Sequence, residues 1–161
     1  MTPFVPRTKV GIRLLYHANA PWAKTGYGIQ SNSLLPRLAK LDEIEEIALL
    51  AYYGIAGGVT EQEIGLETPV EHVKVKCYPP RSDPWGNDVI QDHTTNFDAD
   101  MTVTLFDLWP LSQEFGWTGS RWCPWFPIDH EPVPPGVLER SHSTYENLVY
   151  SKSAAQELQN N

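Results

Sequence analysis

Short apolar segments alternate with segments of helical periodicity along this chain. The clearest apolar segment, residues 47–53 (IALLAYY), has an apolar side chain at every position. Successive side chains of a strand point to opposite faces of a sheet, so an unbroken apolar strand has to be covered on both faces. Strands of this kind separated by helices are typical of a mostly parallel sheet with helices on both faces.

The alternation can be followed from one end of the sequence to the other. Predicted strands occupy residues 9–16, 47–53, 73–77, 101–105, 122–128 and 147–150. Predicted helices occupy residues 29–41, 83–96 and 136–143, and the S-x-x-Q spacing from Ser153 to Gln156 opens one more. Pro36 should kink the first helix or delay its start. We therefore predict an α/β, Rossmann-like fold in one domain that spans residues 1–161.

Charge and composition exclude several classes of protein. The net charge is −8 and the lysines and arginines are scattered, which disfavours tightly bound nucleic acid. No apolar run approaches the roughly 18 residues of a membrane-spanning helix, and residues 1–9 lack the apolar core of a secretory signal. Two cysteines, Cys77 and Cys123, cannot form a disulfide framework. We therefore expect a cytoplasmic protein without a membrane span.

The loop after the first predicted strand carries two glycines, Gly26 and Gly28, on either side of Tyr27. Ligands of parallel sheets lie outside the carboxyl ends of the strands, and glycines let the backbone approach a phosphate closely. The spacing begins like the dinucleotide fingerprint G-x-G-x-x-G, but Ser31 replaces the third glycine and no acidic residue closes the second strand. NAD binding is therefore disfavoured, and the alternatives are an anion-binding loop or a tight turn without a ligand.

A second candidate segment follows the predicted strand 122–128. Asp129, His130 and Glu131 are consecutive and are flanked by prolines, which fix the backbone. The two acids could orient hydroxyl groups, and the histidine could exchange a proton near neutral pH. The alternative is a surface turn whose acids cap the next helix. The spacing does not match a zinc motif such as HExxH, so we expect no metal.

Three further residues lie where loops leave predicted strands. Trp109 could pack its ring against the C–H face of a sugar, and it forms with Trp117 the pair of tryptophans that we expect to be exposed. The other aromatic residues between 115 and 126 are expected in the core or an interface. Asp107 and His17 each end a strand, and each has an equally plausible structural role, as a cap for Asp107 and as a satisfied loop histidine for His17.

Taken together, these segments resemble the N-terminal lobe of family 4 GT-B glycosyltransferases. The resemblance rests on the loop TGYG (25–28), the phrase FPIDHEPVPP (126–135) and the ending YSKSAAQEL (150–158). Such enzymes move a sugar from a nucleoside-diphosphate donor to an acceptor hydroxyl, commonly with retention and without a required metal or cofactor. Their N-terminal lobe mainly shapes the acceptor site.

By position, the resemblance gives Gly26 and Gly28 a role near the donor phosphates and lets Asp129 or His130 face the transferred sugar. It also implies that a C-terminal, donor-binding lobe is absent, so that the fragment is inactive alone and could dimerise through exposed apolar surface. The partners implied are a nucleotide-sugar donor and an unknown acceptor. The alternative is a self-contained, non-catalytic module that binds a saccharide or a nucleotide.

Overall fold

A computed structural model describes residues 10–65 and 72–160, and it confirms the α/β, Rossmann-like fold. Residues 1–9, which bear the prediction about a secretory signal, lie outside the described residues. The strands are β1 (Ile12–Asn19), β2 (Ile44–Tyr52), β3 (Thr60–Ile64), β4 (Val73–Tyr78), β5 (Met101–Leu105), β6 (Arg121–Phe126) and β7 (Leu148–Val149).

Within the described residues these strands form a seven-stranded sheet in the order β3-β4-β2-β1-β5-β6-β7. Neighbouring strands are parallel except for β3, which pairs antiparallel with β4 at one edge. If β3 is set aside, the parallel strands follow the order 3-2-1-4-5-6 of doubly wound folds. The direction in which successive strands are added to the sheet therefore reverses between β1 and β5, and this is the switch point of the fold.

Helices cover both faces of this sheet. They are α1 (Gly26–Leu38), α2 (Ile90–Phe97), α3 (Pro135–Ser141) and α4 (Lys152–Gln159), and a short 3₁₀ helix spans Gln113–Trp117. Alternate side chains of β1 enter two separate cores, with Leu14 in the core that contains Leu35 of α1 and Leu15 in the core that contains Phe97 of α2. Each of these leucines is almost fully buried, which contributes about 2 kcal/mol relative to exposure. No helix in the described ranges is both long and apolar enough to cross a membrane.

Strand β3 is missing from the sequence prediction because its composition hides it. The segment TEQEI is polar, and only Ile64 is buried. It pairs in register with β4, with Glu61 opposite Lys76 and Glu63 opposite Lys74. An edge strand with one buried position leaves little apolar pattern to detect, and its charged side chains discourage pairing with another chain.

Helix starts are the least accurate part of the prediction. Helix α1 begins at Gly26 rather than at residue 29, so Pro36 does not delay its start but lies in its last turn. The serine that caps α4 is Ser151, whose Oγ accepts from the amide of Ala154, and the capping box from Ser153 is wrong. Both errors arise because the capping residue precedes the apolar periodicity on which the prediction rests.

The helix predicted over 83–96 begins only at Ile90. Asp83 Oδ1 accepts from the amide of Trp85 at 2.8 Å, and Asp88 Oδ2 accepts from the amide of Ser82 at 2.9 Å. Aspartate side chains that bond nearby amides in this way hold the backbone in turns and compete with a helix. The segment before α2 is therefore a series of turns, in which Gly86 has a φ of 76°.

At the amino ends of the parallel strands, which we call the amino edge of the sheet, one arginine contacts several elements. The backbone amide of Arg13 donates to Asp100 Oδ2 at 3.0 Å, and its Nε donates to the carbonyl oxygen of Phe97 at 2.9 Å. The guanidinium forms an ion pair with Glu46 and lies 4.3 Å from the centre of the Phe97 ring. This arginine thus ties β1 to β2 and to the end of α2.

Candidate functional site

The best position for a ligand in this fold is the switch point between β1 and β5. Loops leaving the two strands meet there. The hydroxyl of Tyr27, in the first turn of α1, donates to Oδ1 of Asp107 at 3.4 Å, and Asp107 lies just beyond β5. The structure therefore brings together two candidates that are 80 positions apart in the chain.

The two glycines beside Tyr27 differ in their surroundings. A Cβ atom on Gly28 would lie 2.3 Å from the carbonyl oxygen of Ala23 and 2.8 Å from that of Ala20. A Cβ atom on Gly26 would meet nothing within 4 Å. Gly28 is therefore required by the packing of α1 against the preceding loop, whereas Gly26 is exposed at the start of the helix.

A polar network fixes the start of α1. Oγ1 of Thr25 accepts from the amide of Gly28 at 3.0 Å and from Nδ2 of Asn19 at 2.8 Å. The end of β1 is thereby bonded to the cap of α1, which leaves little freedom for the backbone that carries Tyr27. The amides of Gly26 and Tyr27 precede the capped amide, in the position where helix starts favour an anion.

A cavity of about 210 Å³ opens beside Asp107. Its walls come from the loop after β5, the loop after β6 and the first turn of α3. They consist of Asp107, Leu108, Trp109, Pro127, Ile128, Asp129, His130, Pro134 and Val137. Both predicted segments, the one after β5 and the one after β6, therefore line the same cavity.

Asp129 and His130 contact each other at the mouth of this cavity. Nδ1 of His130 lies 2.6 Å from Oδ1 of Asp129, and both side chains are exposed. Because a carboxylate accepts, Nδ1 of His130 is the donor in this contact, and Nε2 is the ring nitrogen left for a ligand. Glu131 is not part of this cavity but lines a neighbouring depression of about 220 Å³ together with Ser153 and Glu157.

The pKa of Tyr27 is affected by charges on the loops after β5 and β6. Partial burial raises the pKa of Tyr27 to about 12, and the negative charge of Asp107 and the more distant charge of Asp129 add to the shift. The hydroxyl therefore stays protonated at neutral pH and acts as a hydrogen-bond donor. Asp107 and Asp129 thus lie close enough to Tyr27 for their negative charges to disfavour its ionisation.

His17 does not reach the cavity. The strand continues past it to Asn19, so the prediction that it ends β1 is wrong, and its side chain is buried. Nδ1 lies 2.8 Å from the carbonyl oxygen of Leu50 and Nε2 lies 2.7 Å from that of Trp85. Burial lowers the pKa of His17 despite these two contacts. The structure therefore gives this histidine a position in the core, in contact with the Phe106 ring.

Tryptophan exposure agrees with the sequence analysis. Trp109 is 60% exposed and Trp117 is 67% exposed, whereas Phe115, Trp122 and Phe126 are buried. Trp109 lines the cavity beside Asp107. Trp117 lies on the 3₁₀ helix and lines a different depression.

Three aromatic residues near the cavity were not among the sequence candidates. The rings of Tyr52 and Trp85 are stacked, with centres 5.4 Å apart and an interplanar angle of 5°. Tyr53 packs against Tyr52 at 4.1 Å, and Trp109 lies 6.3 Å from Trp85. The position of Tyr52 and Tyr53 at the carboxyl end of an apolar strand is a signal that could have identified them. Trp85 lies in a segment predicted as helix, and the sequence offers no such signal for it.

Comparison with known proteins adds no functional assignment. No protein-family model matches the chain, and no curated protein sequence matches it. Among the described residues no group of three or more histidine, cysteine, aspartate and glutamate side chains is arranged to hold a metal ion.

Proposed function

We propose that this chain is the N-terminal, acceptor-side lobe of a GT-B glycosyltransferase, which transfers a sugar from a nucleoside-diphosphate sugar to an acceptor hydroxyl. One observation supports the proposal: Asp107 and the Asp129–His130 pair line one cavity at the switch point of a doubly wound sheet, and Tyr27 contacts Asp107 from the start of α1. In many α/β enzymes the loops at the switch point carry the reacting groups. The resemblance of the same segments to family 4 enzymes supports the assignment.

The proposed roles follow from the hydrogen-bonding capacity of each group. His130 faces the transferred sugar and uses Nε2 to accept a hydroxyl proton, while Asp129 positions the imidazole through Nδ1. Tyr27 donates its one hydroxyl proton to Asp107, so the remaining lone pairs of the Asp107 carboxylate and of the Tyr27 oxygen can accept from sugar hydroxyls. Positioning of this kind lowers the barrier by placing the reacting atoms in the productive geometry.

The charge of the cavity favours the acceptor over the donor phosphates. Its described lining contains two aspartates and one histidine but no lysine or arginine. Negative phosphates are repelled by aspartates, whereas a neutral hydroxyl can donate to them. We assign the donor phosphates to the exposed start of α1 at Gly26 and to a second lobe.

A second candidate function is a non-catalytic module that binds a saccharide or a nucleotide. The exposed ring of Trp109 at the rim of the cavity favours it, because indole rings pack against sugars without any chemistry. The two candidates differ in one measurable property, since only a transferase releases nucleoside diphosphate from a nucleotide sugar.

The test is a turnover assay of the full-length gene product with UDP-glucose, UDP-N-acetylglucosamine and GDP-mannose, in which released nucleoside diphosphate is measured. We expect His130→Ala to lower turnover roughly 100-fold because a proton acceptor is lost, and Asp129→Asn to lower it less. His142→Ala is the matched control, since His142 is also exposed but lies at the end of α3 outside the cavity. Turnover that is unchanged by both site substitutions would refute the assignment.

The same assay applied to residues 1–161 alone tests the lobe assignment. We expect negligible turnover, because the proposed second lobe supplies most of the donor site. Turnover equal to that of the full-length product would contradict this part of the proposal. We further propose a cytoplasmic location, in keeping with the free, buried thiols of Cys77 and Cys123, and dimerisation of this chain through exposed apolar side chains such as Leu148.

A further inference from the structure

We infer that four aromatic residues along the carboxyl edge of the sheet bind a neutral oligosaccharide chain. These residues are Tyr53, Tyr52, Trp85 and Trp109, and we call them the aromatic row. The inference rests on the proposed function in that it names the class of acceptor, a saccharide several units long. The observations behind it concern binding and do not depend on whether the protein turns over a nucleotide sugar.

The aromatic row is continuous and ends at the cavity. Ring centres are 4.1 Å apart from Tyr53 to Tyr52, 5.4 Å from Tyr52 to Trp85 and 6.3 Å from Trp85 to Trp109. The buried ring of Phe106 packs nearly perpendicular to the rings of both Tyr52 and Trp85. Trp109 belongs to both the row and the cavity wall. A chain lying along the row would therefore reach Asp107 and the Asp129–His130 pair with its end.

Core packing does not account for the outer members of the row. Trp109 is 60% exposed and Tyr53 is 52% exposed, although burial of such a ring would contribute about 2 kcal/mol. They come from loops after two different strands, β5 and β2, yet are linked by Tyr52 and Trp85. Two exposed aromatic rings joined by two half-buried ones, beside a polar cavity, are typical of a binding site.

The backbone at Tyr53 is held in an unfavourable conformation. Tyr53 has a φ of 76° and Gly54 a φ of 85°, so a non-glycine residue occupies the left-handed region. This conformation costs a bulky residue about 1–3 kcal/mol and persists where neighbours enforce it. The next residue has to be glycine, because a Cβ on Gly54 would lie 2.6 Å from Nε1 of Trp22. The strained turn keeps the ring of Tyr53 against Tyr52 at the rim.

The surrounding charge selects a neutral ligand. Asp107 and Asp129 lie at the cavity end of the row, and Asp83 bonds the amide of Trp85 within it. A phosphodiester chain would be repelled by these carboxylates, and the net charge of −8 adds to the repulsion. A neutral saccharide presents C–H faces to the rings and hydroxyl donors to the carboxylates, so both kinds of group find a partner.

The experiment measures binding of three neutral hexasaccharides, maltohexaose, cellohexaose and chitohexaose, to the 161-residue chain by calorimetry without any nucleotide sugar. We expect at least one hexasaccharide to bind ten times more tightly than its disaccharide, because it covers several rings. Trp109→Ala and Tyr53→Asn should each weaken that binding at least tenfold. Asparagine tolerates the left-handed conformation, so this second variant removes the ring without adding strain.

Trp117→Ala is the matched control, because Trp117 is equally exposed but lies outside the row, and it should leave binding within twofold of the parent. The inference is overturned if no hexasaccharide outperforms its disaccharide, if the control weakens binding as much as Trp109→Ala, or if a deoxythymidine hexanucleotide binds more tightly than every saccharide. A failure of this binding experiment would not affect the outcome of the turnover test of the proposed transferase. Absence of turnover would likewise leave saccharide binding intact.

Discussion

The polar groups at the amino ends and at the carboxyl ends of the parallel strands have opposite surroundings. At the amino edge, Arg13 bonds a carbonyl oxygen, pairs with Glu46 and packs on Phe97, so its charge is satisfied within the protein. At the carboxyl edge, Asp129 and His130 bond only each other among the contacts described, and their side chains are 78% and 69% exposed. Carboxylate, imidazole and indole groups there face a cavity instead of the core.

This difference shows which edge stabilises the fold and which edge is available for a ligand. Polar groups satisfied by protein contribute to folding, while polar groups that face a cavity can exchange water for a ligand at little expense to the fold. Changes at the amino edge and in the backbone scaffold should therefore alter stability. Changes at the cavity should alter function and leave stability nearly unchanged.

The largest effect is expected from the scaffold that carries the cavity. Gly28→Ala should lower the free energy of unfolding by about 3 kcal/mol, because the new Cβ collides with two backbone carbonyl oxygens that cannot move independently. Urea denaturation measures the change. Gly26→Ala is the matched control two residues away, with open space around its Cβ, and should change stability by less than about 0.5 kcal/mol. Equal losses for the two variants would contradict the packing role of Gly28.

A smaller effect is expected at the amino edge. Arg13→Met keeps much of the aliphatic stem but loses the bond to Phe97 and the pair with Glu46, and it should lower the free energy of unfolding by about 2 kcal/mol. Arg81→Met is the control, since the exposed pair of Arg81 with Asp92 should contribute less than about 0.5 kcal/mol. The comparison of edges fails if Arg13→Met weakens hexasaccharide binding more than it destabilises the fold.

The buried histidine at β1 gives a pH-dependent effect of about 1 kcal/mol. Burial lowers the pKa of His17 below its ordinary value of 6.5, so the unfolded chain takes up a proton that the folded chain refuses. The contribution of His17 to stability is therefore complete well above pH 6.5 and declines as the pH falls below it, by no more than about 1.4 kcal/mol per pH unit. Urea midpoints at pH 7 and pH 5.5 measure the decline. His17→Gln should reduce it by about 1 kcal/mol, and an identical decline in both proteins would rule out this cause.

The smallest effect on stability is expected from Tyr27→Phe. It removes one hydroxyl and a bond of 3.4 Å to Asp107, which should change the free energy of unfolding by about 0.5 kcal/mol. Turnover of the full-length product should nevertheless decline roughly tenfold, because Asp107 loses the hydrogen bond that positions its carboxylate. A large loss of stability with unchanged turnover would assign Tyr27 to the scaffold rather than to the cleft.

The alternation of strands and helices was predicted from the sequence more accurately than the residues at which each element begins and ends. The strands β2 and β5 are visible because burial on both faces produces an unbroken or dense apolar run, and β5 matches the predicted residues 101–105. The polar edge strand β3 has no such run, and the turns before α2 depend on bonds of Asp83 and Asp88 that composition does not reveal.

The candidate site was predictable only in part. Asp107, Trp109, Asp129 and His130 were found because each follows a strand at the carboxyl edge, and the structure brings them to one cavity. His17 lies in the core between two carbonyl oxygens and not in a loop, because β1 extends beyond the predicted strand 9–16 to Asn19. The aromatic row escaped because ring contacts between β2, the turns before α2 and the loop after β5 depend on tertiary packing.

The measurement that tests the central claim most directly is a double-mutant cycle on the turnover of the full-length product, with Asp107→Asn, His130→Ala and the combination. The claim is that the loops after β5 and β6 form one reaction site, and residues that act as a unit lose activity non-additively. We predict that the double variant retains far more activity than the product of the two single losses. Losses that multiply independently, or single variants with full turnover, would contradict a shared site.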